Sequence, residues 1–228
     1  MRRLVHLLRP FIDVNGRRWH HPSVSALMHL SQAGECPESV IDRLCCELVA
    51  EAKAFGWSGP PFDPEILASL EGISVETVAQ EIGADARIFP TEDGHLLIQC
   101  ISSVSAERRR FSIAHEIVHT RFPDCYERVR YRSEGGQDRA YSELEQLCNA
   151  GAAEILMPKE DIMLHLANQD VSAEVAEGLR KQFGVSRPKR ALSTNLSLTG
   201  SGKTSVSRLT TLLESCPCCS FGSGYVVA

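Results

Sequence analysis

Between residues 38 and 55, Val40, Ile41, Leu44, Cys45, Leu48, Val49 and Ala52 recur at steps of three and four, which predicts an amphipathic helix. Gly56 stops it, and Gly59-Pro60-Pro61 turns the chain. Asp63 is placed to cap a short helix from Pro64 to Leu70, with proline at its first position. The period then changes. Ile73 to Val78 alternates, Ala86 to Phe89 is short and apolar, and His95 to Ile101 is the clearest strand, entered through a turn at Gly94. Residues 79–85 read equally as helix.

The helical period returns after Ser105, an N-cap for a helix running to about Thr120 with Phe111, Ile113, Ala114, Ile117 and Val118 on its buried faces. Phe122-Pro123 ends it, and the polar stretch 123–138, with Gly135-Gly136, is expected to be an exposed loop. Further helices are predicted over about 139–157, 159–168 and 172–183. Short strands followed by helices make an α+β protein, with a small antiparallel or mixed sheet packed on helices. Residues 1–36 read as an N-terminal extension of weak pattern, 37–187 as the domain, and 188–228 as a Ser-, Thr-, Gly- and Cys-containing tail.

Composition changes this picture little. The chain has 228 residues, 43% hydrophobic and 23% charged, with a net charge of −5, which argues against a dedicated nucleic-acid binder. No apolar run is long enough for a membrane span, and His6, Arg9 and Pro10 interrupt the only stretch that resembles a signal peptide. Nine cysteines without framework spacing fit reduced thiols in a cytoplasmic protein. Gly200 to Thr204 resembles part of a phosphate-binding loop, but Ser197 stands where the first glycine belongs. Cys216, Cys218 and Cys219 lack the spacing of a metal site.

The chemistry concentrates in His115-Glu116-Ile117-Val118-His119. On a helix, residues four apart share a face, so the two imidazoles can hold one zinc ion while Glu116 reaches a water on it. Such a site needs a third protein ligand. The following helix supplies Glu145 and, four residues on, Asn149, flanked by Leu144, Leu147, Cys148 and Ala152. That face is expected to pack on the histidine helix, with Glu145 on the metal and Asn149 orienting a ligand through a hydrogen bond. Glu143 and Glu154 of the same helix are read as solvated. Tyr126, Tyr131, Tyr141 and His95 are candidate donors to a developing oxyanion.

The stretch FSIAHEIVHT, followed by E-x-x-C-N-A-x-A-A-E-I-L-M-P, resembles the ImmA/IrrE family of metallopeptidases. In that family an R-x-F-(S/T)-x-A-H-E-x-x-H helix precedes E-x-x-A-N-x-F-A-x-x-L-L-M-P. The resemblance runs over about 55–187 and makes His115 and His119 zinc ligands, Glu145 the third ligand and Glu116 the catalytic glutamate. It implies a zincin-like core, an active-site helix beside a ligand-bearing one, with one catalytic zinc ion. It also implies an endopeptidase whose partner is a protein substrate, a helix-turn-helix repressor. The competing reading is a regulatory or sensor module that keeps the fold with little turnover. Two departures stand out. Cys148 replaces the usual alanine, a small-for-small exchange, and Gly151 stands where an aromatic usually packs, which predicts a void or a wider cleft.

Overall fold

The computed structural model describes residues 11–80, 82–126, 139–167 and 172–186. The expectations for the 188–228 tail, for Tyr131 and for most of the 123–138 loop lie outside the described residues.

Helix α2 (Pro37–Ala54) buries Val40, Ile41, Cys45, Leu48, Val49 and Ala52, the stripe that the three-and-four spacing marks. Helix α3 (Pro64–Leu70) is capped by the Asp63 carboxylate, which accepts from the Glu65 amide at 2.9 Å. Three strands follow: β3 (Ile73–Val78), β4 (Ala86–Pro90) and β5 (Leu96–Ile101). Their order is β3-β5-β4, with β3 parallel and β4 antiparallel to β5, so the sheet is mixed. The parallel pair arises because β4 and its hairpin turn return the chain between β3 and β5. Gly94, at φ +85°, supplies the left-handed backbone that this turn needs. Residues 79, 80 and 82–85 are not helical.

Helix α4 (Ala106–His119) packs against both β4 and β5 and against α5 (Arg139–Leu156), which also packs on α2. Two shorter helices, α6 (Lys159–Leu166) and α7 (Ala173–Phe183), complete the α+β fold. Ile113, Ala114, Ile117 and Val118 of α4 and Cys148, Ala152 and Ile155 of α5 are wholly buried where these layers meet. The half-buried Arg110 guanidinium ties α4 to the chain around it, donating to the carbonyls of Phe62, Phe183 and Gly184.

Gly151 corrects an expectation. There is neither a void nor a widened cleft: a Cβ at this position would lie 2.8 Å from Cys45 Sγ of α2 and 2.8 Å from Val118 Cγ1 of α4. Both neighbours occupy the space that a side chain here would need. The glycine lets three helices approach.

From Phe11 onward, the weakly patterned N-terminal stretch is built into the same core. Strands β1 (Phe11–Ile12) and β2 (Arg18–Trp19) pair antiparallel and lead into α1 (Pro22–Leu27) and a single 3-10 turn, Met28–Leu30. Trp19, Val24 and Leu27 are buried, and the Trp19 indole donates to Asp13 Oδ2 at 3.0 Å. The segment is pinned to α5 by Glu143, whose carboxylate accepts from the His20 amide at 2.5 Å and the His21 amide at 3.3 Å and meets His20 Nδ1 at 2.9 Å. Burial alone would raise the Glu143 pKa, but these hydrogen bonds hold it below the usual carboxylate range. Glu143 is therefore not solvated as expected. Neither is Glu154, which is 5% exposed. Among the described residues, no helix is long and apolar enough to cross a membrane.

Candidate metal centre

Ser105 starts α4 by accepting the Arg108 amide at 3.3 Å, which fixes the helical phase of everything downstream. Ten and fourteen residues later, on one face, stand His115 and His119. Their Nε2 atoms lie 3.2 Å apart. Helix α5 brings the Glu145 carboxylate to them, with Oε2 at 3.1 Å from His115 Nε2 and Oε1 at 3.7 Å from His119 Nε2. A tetrahedral ion with bonds of about 2.1 Å needs its ligand atoms about 3.4 Å apart. The two histidine nitrogens and the two carboxylate oxygens approach one another at 3.1 to 3.7 Å, near that spacing.

The far sides of both rings are held by neighbouring residues of the same helix. His115 Nδ1 lies 2.9 Å from Asn149 Oδ1, and His119 Nδ1 lies 3.4 Å from Cys148 Sγ. An amide oxygen only accepts, so His115 carries its proton on Nδ1 and turns the Nε2 lone pair toward Glu145. Two electron-rich nitrogens and a carboxylate converging in a nearly closed space suit a cation. The His115 and His119 side chains are 12% and 6% exposed and that of Glu145 is 27%, so any opening lies on the Glu145 side of the group.

Glu116 is buried, and its Oε2 accepts the Ile88 amide of β4 at 2.9 Å. Ile88 faces Ile98 of β5 in the register, and an N–H given to Glu116 is turned away from β5. Ile88 therefore sits in the non-hydrogen-bonded type of antiparallel pair, and its outward amide orients the carboxylate.

The structure thus brings His115, His119, Glu145 and Asn149 together and anchors Glu116 against the sheet. Tyr126, Tyr141 and His95, the candidate oxyanion donors, are all exposed. Two features escaped sequence reasoning. The Ile88 amide leaves no trace in residue type. Cys148 does: it follows Glu145 by three on a helix and so shares its face, a signal set aside with the substitution.

Among the described residues two sets of side chains have metal-binding spacing: His115, His119 and Cys148, and a second group, Asp42, Cys46 and Glu154, between α2 and α5. Lys159 Nζ bonds Asp42 Oδ1 and stands 3.9 Å from Glu154 Oε2. Its ammonium already provides the positive charge there. Burial pushes the Cys46 thiol up to about 12, which opposes the thiolate a metal requires.

Comparison with known proteins bears on the first group. The IrrE N-terminal-like domain, a peptidase family, matches residues 72–188, just over half of the 228-residue chain and inclusive of α4 and α5. A 69-residue stretch is 42% identical to the radiation response metalloprotease IrrE of Deinococcus deserti, covering 29% of this chain and 24% of that protein. The chain thus spans about a quarter of that relative's length. A solved structure described as a Mycobacterium tuberculosis transcriptional regulator aligns with a TM-score of 0.45 at 17% identity, covering 64% of this chain and 44% of that one.

Proposed function

This chain belongs to the IrrE N-terminal-like domain family of peptidases, and from that premise we propose that it is a zinc-dependent endopeptidase. Its substrate on this reading is a single protein, a helix-turn-helix transcriptional repressor. The observation that carries the reading is the convergence of His115 Nε2 and His119 Nε2, 3.2 Å apart, on the Glu145 carboxylate, whose Oε2 lies 3.1 Å from the first and Oε1 3.7 Å from the second. Two imidazoles and one carboxylate suit zinc among the common divalent ions, and three protein ligands leave a position open for reaction. When bound, the ion supplies a Lewis acid for the scissile carbonyl and brings the pKa of the attacking water toward about 7.

The remaining steps belong to side chains. Glu116 takes the proton of the attacking water and delivers it to the leaving amine. Its Oε2 accepts the Ile88 amide, which orients the carboxylate. Asn149 keeps His115 in the tautomer that offers Nε2. The choice of a repressor as substrate rests on the ImmA/IrrE resemblance alone.

The test is incubation of the zinc-loaded protein with any helix-turn-helix repressor that a neighbouring gene encodes, with and without a chelator. Cleavage at one bond is expected, abolished by the chelator. Glu116→Gln is expected to keep zinc and lose at least about a hundredfold in cleavage rate. Undiminished cleavage by Glu116→Gln removes Glu116 as the base, whereas a repressor bound but left intact by the zinc-loaded protein points to a regulatory module instead.

A further inference from the structure

We infer that Cys148 is a positioning residue for the second histidine: its sulfur accepts the Nδ1 proton of His119 and so fixes the tautomer that presents Nε2 to the metal. The inference rests on the metal-binding reading above and concerns a residue which that reading does not use.

The geometry is specific. Sγ lies 3.4 Å from His119 Nδ1, within reach of an N–H···S hydrogen bond, while Nε2 of the same ring faces His115 Nε2 at 3.2 Å and Glu145 Oε1 at 3.7 Å. The thiol stands on the Nδ1 side of the ring, and its sulfur also lies within 4.8 Å of a ring nitrogen of each histidine, so a cobalt spectrum separates this contact from direct ligation. It is wholly buried and His119 is 5% exposed, so the sulfur meets Nδ1 where bulk solvent has little access. A neutral imidazole carries a single proton, and a metal on Nε2 requires that proton on Nδ1.

The neighbouring histidine shows the same design with a different acceptor. Asn149 Oδ1 takes the role for His115 at 2.9 Å, and Cys148 and Asn149 are consecutive residues of α5. One helix thus supplies the carboxylate ligand and a partner behind each imidazole. Alanine at this place would offer no acceptor behind His119.

The experiment measures zinc affinity by competition with a chromophoric chelator for the wild type, Cys148→Ala and Cys148→Ser. Partners behind metal-binding histidines typically contribute about 10- to 100-fold in metal affinity. Cys148→Ala is expected to bind zinc about tenfold more weakly, and Cys148→Ser, which restores an acceptor, to recover part of the loss. In the NMR spectrum of the zinc-loaded wild type, slowly exchanging Nδ1 protons are expected for both His115 and His119. In Cys148→Ala only that of His119 should broaden, which a general loosening of the core would not produce. With cobalt in place of zinc, no sulfur-to-metal charge-transfer band is expected.

Wild-type affinity in Cys148→Ala overturns the inference and leaves the zinc reading intact, and so does a sulfur-to-cobalt band, which would make the thiolate a direct ligand. A wild-type protein that binds no divalent ion overturns the zinc reading, and the inference falls with it.

Discussion

Glu154 is a carboxylate in an unusual position, 5% exposed on α5 and facing α2. Burial pushes its pKa up to about 7, outweighing the Lys159 amide and ammonium, while Asp42 pushes in the same direction as burial. The folded state therefore holds this proton more tightly than the unfolded chain, whose value is near the ordinary 4.5. The associated stability is fully present below that value and is lost as pH rises through about 7. The loss amounts to at most about 3 kcal/mol, on about 1.4 kcal/mol per pKa unit. Glu154→Gln should remove this dependence: urea midpoints taken from pH 4 to 8 should converge on the wild type at the acid end and exceed it above neutrality. A constant offset between the two proteins across that range would show that Glu154 titrates as an exposed carboxylate.

The elements are set at distances that one small residue permits. At Gly151, α5 touches both α2 and α4, and a single added carbon meets Cys45 and Val118 at 2.8 Å. Alanine gains helix propensity of about 1 kcal/mol there but must displace two packed side chains. Gly151→Ala is expected to destabilise by about 1 kcal/mol and Gly151→Phe by about 3 kcal/mol or more, measured by denaturant unfolding. Both substitutions should also weaken zinc binding, because the spacing of α4 and α5 determines whether Glu145 reaches the two histidines. A Gly151→Phe protein with wild-type stability and zinc affinity would mean that α5 moves away without cost. The helices themselves were legible from spacing: α2, α3, α4 and α5 fall within about two residues of their predicted bounds. The region of residues 79–85 was not, because Gly83 and the short apolar pieces on either side favour no single period.

For the molecule as a whole, the candidate metal centre joins two helices separated in sequence, so an ion bound there would act as a cross-link of the native state alone. Zinc in hundredfold excess over its dissociation constant should add about 2.7 kcal/mol to unfolding stability. In a chain of this size that corresponds to a rise in Tm of roughly 5–10 °C, read by calorimetry with and without chelator. His115→Ala should show none of this rise. An equal rise in that variant would place the stabilising ion elsewhere, for instance at Asp42, Cys46 and Glu154.

Local pattern was enough for the α+β class, for the His115 and His119 pair on one face, and for Glu145 and Asn149 on another, since each follows from a helical repeat of a few residues. It could not reveal that Glu143 and Glu154 are buried. The partners of Glu143 are His20 and His21, more than 120 residues earlier, and Glu154 meets Cys46, 108 residues earlier. Nor could it give Cys148 its place behind His119 or Glu116 its anchor on Ile88. Periodicity records which face of an element is apolar. Which distant group meets a polar atom on that face is decided only when the elements pack, because a buried donor or acceptor must then be matched by whatever the fold has brought beside it.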